Sequence, residues 1–149
     1  MREIKRYVCT LFGGEMKKRK RGFILNMSSS AAFKAFPGIA YYGATKSYIR
    51  NFTQSLRTEL KFYGVYVTCL CPGATATNLY DPNVINVALG KKLGIMMNAE
   101  NVAKLGISGL FNNKAVVIPG IITKLMLFLA LLTPQWMIYQ IRKKAKLLR

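Results

Sequence analysis

Ser29 stands thirteen residues before Tyr42, and Tyr42 stands four before Lys46. On a helix that four-residue step puts the phenol and the ammonium on one face, one turn apart. A phenol alone is a poor acid or base at neutral pH, and a neighbouring ammonium favours its phenolate form. A hydroxyl close by can donate to negative charge developing on an oxygen. Together the three groups point to hydride transfer to or from a carbonyl. Ser28 and Ser30 compete with Ser29 for the hydroxyl role, whereas Tyr41 is a poor rival of Tyr42 because its partner four residues on is Thr45.

The surrounding sequence reads as a scaffold for that triad. Phe23 to Met27 is a short apolar run followed by the polar cluster Ser28 to Ser30, as expected of a buried parallel strand whose carboxyl end faces a ligand site. After Pro37-Gly38, a helix is expected from about Tyr41 to Phe62. Its inner face would hold Ala44, Tyr48, Phe52, Ser55, Leu56 and Leu60, and Gly64 would stop it. Val65 to Cys71 reads as the next strand, cut off by Pro72-Gly73. Strand, helix and strand in that order define a parallel crossover.

Upstream, Ile4, Tyr7, Val8, Leu11, Phe12 and Met16 recur at helical steps from Met1 to about Lys20, with Gly22 expected to end the helix. Downstream, Ala74 to Met97 lacks a firm period and is expected to give helix fragments over the site, broken at Asn78, Asp81-Pro82-Asn83 and Gly94. Asn98 is placed to cap a helix running to about Phe111, with Glu100 in its first turn, and Ala115 to Ile118 reads as a third short strand.

The chain carries 23 lysines and arginines against five acids and no histidine, a net charge of +18. Histidine-based catalysis and histidine metal sites are therefore excluded, and anionic partners are favoured. The five cations from Lys17 to Arg21 read as a solvated helix end rather than a nucleic-acid patch, so no nucleic-acid partner is expected. Three cysteines, with Cys69 and Cys71 on one face of a strand, read as reduced packing thiols of a cytoplasmic protein. Met1 to Phe12 has no long apolar core, which argues against a secretory signal.

The last stretch, 121–149, is set apart from a first unit, 1–120, as an apolar and then basic tail. Leu125 to Ile141 is free of charge but holds Pro134 and is shorter than the roughly 20 apolar residues a spanning helix needs. Two readings remain: a helix packed on its own domain or on a second subunit, or an interfacial segment in which Trp136 and Tyr139 beside Arg142 to Arg149 touch an anionic membrane surface.

The words Asn26-Met27-Ser28-Ser29, Tyr42-Gly43-Ala44-Thr45-Lys46 and Pro72-Gly73-Ala74-Thr75-Ala76-Thr77 together resemble the short-chain dehydrogenase/reductase family. Ala99 to Ala103, Val117 to Gly120 and Thr133-Pro134 look like a bacterial branch related to acyl-chain and hydroxysteroid reductases. The resemblance implies an NAD(P)(H)-dependent oxidoreductase that reduces a carbonyl or oxidises a secondary alcohol, with a lipophilic ketone or alcohol as substrate. By the same resemblance Tyr42 exchanges a proton with the substrate oxygen, Lys46 also holds the nicotinamide ribose, and Ser29 binds the carbonyl. Pro72 and Gly73 approach the cofactor, and Thr77, or else Thr75, contacts its carboxamide. A homodimer or tetramer is implied, paired through the helices at Met1 to Lys20 and Tyr41 to Phe62.

The resemblance covers the second half of the family's pattern. A dinucleotide fold begins with a strand and a glycine-rich turn at a helix N-terminus. Gly13-Gly14 follows no strand and lacks a third glycine, so it is not that turn. The expected fold is thus α/β: the C-terminal half of a Rossmann-like doubly wound parallel sheet, about three strands, lacking the N-terminal Gly-rich half and with it the main pyrophosphate and adenine site. Such a chain is expected to be truncated and weak or inactive alone. The alternative is a non-enzymatic dimerisation or membrane-peripheral remnant.

Overall fold

The computed structural model describes residues 2–77 and 86–147. The breaks anticipated at Asn78 and at Asp81-Pro82-Asn83 lie outside the described residues, as do the side chains of Ile4, Tyr7 and Val8. The chain runs α1 (Arg2–Lys18), β1 (Gly22–Met27), a 3-10 turn (Ser30–Ala32), α2 (Ala40–Lys61), β2 (Val65–Leu70), β3 (Thr75–Ala76), α3 (Val87–Lys92), β4 (Met97–Asn98), α4 (Ala99–Phe111), β5 (Val116–Val117), α5 (Ile121–Leu132) and α6 (Gln135–Leu147).

Three parallel strands form the main sheet in the order β1, β2, β5. Gly22 pairs with Val65 and Met27 with Leu70, and Cys69 and Leu70 pair with Val116 and Val117. Because alternate residues of a strand face opposite ways, this sheet has two apolar faces to cover. On one, Ile24, Val65 and Val67 pack with Cys9 of α1 and Leu56 and Leu60 of α2. On the other lies α4, whose Gly106 and Gly109 lack the β-carbons that would run into Leu70 and Val117. Helices on both faces of a parallel sheet make this the α/β, Rossmann-like fragment the sequence implies, and β1 is an edge strand.

Several details differ from the sequence reading. The first helix stops at Lys18, with the left-handed turn at Lys20 (φ 52°), so that Gly22 opens β1 rather than ending α1. The buried side chains of α2 are Ile49, Thr53, Leu56 and Leu60, while Ala44, Tyr48 and Ser55 are exposed. The polar Thr53 carries no local sign of burial, because its burial depends on partners far away in sequence. Its hydroxyl donates to the Ile49 carbonyl at 2.6 Å and accepts from the Asn26 amide at 3.1 Å, which satisfies both groups inside the core. Tyr48 instead stacks beside Phe52, with ring centroids 6.1 Å apart.

Asn98 does precede α4, but its side chain makes no capping hydrogen bond; Glu100 pairs at the surface with Lys104. The stretch after Pro72-Gly73 adds a second, two-stranded parallel sheet in which Thr75 pairs with Met97 and Ala76 with Asn98. Two-residue strands leave no periodic signature, and this one was not anticipated. Gly64, at φ 68°, passes so close to the Lys20 carbonyl that any β-carbon would collide with it, which fixes glycine at the turn into β2.

Candidate functional site

The carboxyl ends of β1 and β2 meet the start of α2. Ser28 and Ser30 continue the ladder past β1, their amides donating to the Leu70 and Pro72 carbonyls at 2.7 and 2.8 Å. This holds the serine cluster against Pro72-Gly73. From the other side, the Ser28 hydroxyl donates to the Lys46 carbonyl at 2.7 Å, and the Ser47 hydroxyl donates to the Ala32 carbonyl at 2.9 Å. Gly43, between Tyr42 and Lys46, sits over the turn after Ser29, where a β-carbon would make only an ordinary contact, at 3.5 Å, with the Ala31 carbonyl.

The three serines are thereby sorted by their bonds. Ser28 is 2% exposed and its proton is committed to Lys46. Ser29 is also buried, yet its oxygen accepts from the Ala31 amide at 3.2 Å, an N-cap of the 3-10 turn that leaves its own proton for another acceptor. Ser30 lines a neighbouring cavity. On α2, the Lys46 ammonium lies 5.5 Å from the centroid of the Tyr42 ring, over its face, and Tyr42 is half-exposed. The one-turn spacing thus produces a direct cation and phenol contact. Tyr41, the next residue, is 77% exposed.

Beyond β2, Gly73 and Thr75 stand at the strand end, with the Thr75 hydroxyl donating to the Gly73 carbonyl at 3.2 Å; Thr77 is exposed. Cys69 and Cys71 are wholly buried beneath this turn with their sulfurs 3.5 Å apart. Their mutual hydrogen bond first, and burial second, push the Cys71 thiol far above its ordinary range.

The sequence reading missed the contribution of α5. Its Thr123 is buried against Gly73, where a β-carbon would run into the threonine side chain. At the other end, the Lys34 ammonium donates to the Thr133 carbonyl at 2.9 Å, the favourable place for a cation on a helix. Pinned at both ends, α5 closes a cavity of about 250 Å³ lined by Ser30, Phe36, Gly73, Ile95, Met126 and Leu127 among others. Only the Thr123, Leu127 and Ala130 side of this helix is turned inward. In a segment apolar on every side, no periodic contrast announces which residues those are.

A family model described as short chain dehydrogenase matches residues 7–87. The chain belongs to the short-chain dehydrogenase family. It is 41% identical over 69 residues to an uncharacterised oxidoreductase of Myxococcus xanthus, an overlap of 46% of this chain and 27% of that protein. It is 35% identical over 78 residues to a diacetyl reductase, (S)-acetoin forming, of Staphylococcus epidermidis, covering 48% of this chain and 30% of the relative. Among solved structures, a short-chain dehydrogenase from Sphingobium yanoikuyae in complex with NADPH superposes with a TM-score of 0.62 at 28% identity, over 73% of this chain and 41% of that one. The chain therefore spans less than half the length of each of these relatives.

Proposed function

We propose that this chain is the catalytic portion of an NAD(P)(H)-dependent oxidoreductase that interconverts a lipophilic ketone and its secondary alcohol. The observation that carries the reading is the Lys46 ammonium over the Tyr42 ring on the turn of α2 that Ser28 ties to the Ser29 strand end. In this reading Ser29 donates its free proton to the substrate oxygen. Tyr42 gives its phenolic proton to that oxygen in reduction and takes it back in oxidation, with the Lys46 ammonium beside its ring. A bound NAD(P)(H) supplies or accepts the hydride.

The residues present fit the nicotinamide end of such a cofactor. Lys46 would hold the ribose, and the strand end at Pro72 and Gly73, with Thr75 and Thr77 after it, would meet the nicotinamide. Among the described residues, nothing resembles the pyrophosphate turn, since Gly13 and Gly14 lie within α1. The isolated chain is accordingly a weak catalyst. The apolar cavity beside Ser30, with Phe36, Ile95, Met126 and Leu127 in its wall, suits a lipophilic substrate, and reduced thiols suit a cytoplasmic setting.

Turnover of cyclic and long-chain ketones with NADPH tests the assignment. Tyr42→Phe should lower the rate on the order of 100-fold, since proton transfer by a positioned group is worth that much or more. Turnover that survives this substitution would remove Tyr42 from the mechanism. A second reading, self-association through α1 and α2 without catalysis, is favoured by Leu11 and Phe12, 53% and 58% exposed on α1. It predicts a dimer that Phe12→Glu dissociates, with no NADPH turnover.

A further inference from the structure

We propose that the outer face of α5, continued by the start of α6, docks on the surface of an anionic lipid bilayer. At 100° per residue, the inward side chains Thr123, Leu127 and Ala130 occupy one side of α5. Ile121, Leu125, Phe128, Leu129 and Leu132 lie on the opposite side and are 84%, 57%, 59%, 55% and 64% exposed. Trp136 and Tyr139 on α6, the next helix in the chain, are likewise exposed, at 66% and 64%. A continuous run of large apolar side chains facing water on a helix fixed at both ends calls for a partner.

The charge distribution selects the partner. No aspartate or glutamate occurs after Glu100, and Arg142, Lys143, Lys144, Lys146 and Arg149 follow the apolar face directly. Aromatic residues beside a cluster of cations match the headgroup layer of an anionic leaflet, where rings sit at the interface and cations meet phosphate. Among the described residues no helix is long and apolar enough to cross a membrane, and the chain breaks at Thr133-Pro134, so the surface lies on the bilayer rather than through it. The inner side of the same helix walls the cavity beside Ser30. The docking surface stands whether or not Tyr42 and Lys46 act on a substrate.

The test mixes the purified full chain with phosphatidylcholine vesicles, with and without phosphatidylglycerol, and follows sedimentation together with the emission of Trp136, the one tryptophan present. The chain should sediment with the anionic vesicles, the emission should move to the blue, and added salt should reverse both. Lys143→Ala with Lys144→Ala should lower partitioning about 30-fold. Phe128→Glu, at an exposed position where the fold is kept, should abolish the blue shift while the circular dichroism melt stays unchanged. Equal binding to neutral vesicles, no binding at all, or binding indifferent to Phe128→Glu overturns the proposal. A dimer dissociated by Phe128→Glu without vesicle binding also overturns it and gives the face to a second copy of the chain.

Discussion

The Ser28 hydroxyl donates to the main-chain carbonyl of Lys46 at 2.7 Å, across eighteen residues of sequence. With the Ser47 to Ala32 bond, this bond ties the end of β1 and the turn after it to the turn of α2 that carries the Tyr42 and Lys46 pair. It also explains why three consecutive serines are not equivalent. The first is structural, the second caps the following turn and keeps a free proton, and the third faces a cavity.

Ser28→Ala should cost about 1–2 kcal/mol, the usual loss when a buried hydrogen bond is removed. The serine is 2% exposed, so no water replaces the missing donor. Urea unfolding of the variant and the parent chain measures the difference. An unchanged midpoint would mean that the bond contributes nothing to the α2 contact.

A size test addresses the seat of α5. A β-carbon on Gly73 would lie 2.5 Å from the Thr123 hydroxyl and 2.8 Å from its methyl group. Gly73→Ala must therefore push α5 off the strand end or distort the Pro72-Gly73 turn, at a cost of about 1–3 kcal/mol for overpacking. Thr123→Ala removes both atoms in the way, so the double variant Gly73→Ala/Thr123→Ala should recover most of the lost stability. A coupling energy near zero between the two substitutions would show that the helix is not seated there.

The large elements were legible because each carries its own local signal. The run Phe23 to Met27 ends in serines, the strand from Val65 ends at Pro72-Gly73, and Tyr42 and Lys46 require a helix to meet. What escaped depends on contacts distant in sequence. Thr53 is polar and so does not mark the inner face of α2, yet it lies in the core because Asn26 is there to pair with it. The β3–β4 ladder is too short to show alternation. The inward side of α5 is set by Gly73 and Lys34, and no pattern within an all-apolar helix could reveal that. The sorting of Ser28 from Ser29 likewise needed the position of the Lys46 carbonyl.

Stability should fall at alkaline pH because of Cys71. Its folded thiol is held protonated by the hydrogen bond with Cys69 and by burial, while the unfolded thiol ionises near its ordinary value of 9.0. A folded value above the unfolded one means that this contribution is complete below about pH 9 and is lost as pH rises, since only the unfolded state then releases the proton. The slope for one proton is about 1.4 kcal/mol per pH unit. Tyrosines and lysines elsewhere also titrate in that range, so the informative quantity is the difference between the parent chain and Cys71→Ala, unfolded in urea from neutral pH to beyond 9.0. The variant should lose stability less steeply, and the two curves should separate only on the alkaline side. Parallel curves throughout would show that Cys71 ionises as readily in the folded chain as in the unfolded one. That outcome would place the thiol in contact with water, against its complete burial beneath the Pro72-Gly73 turn.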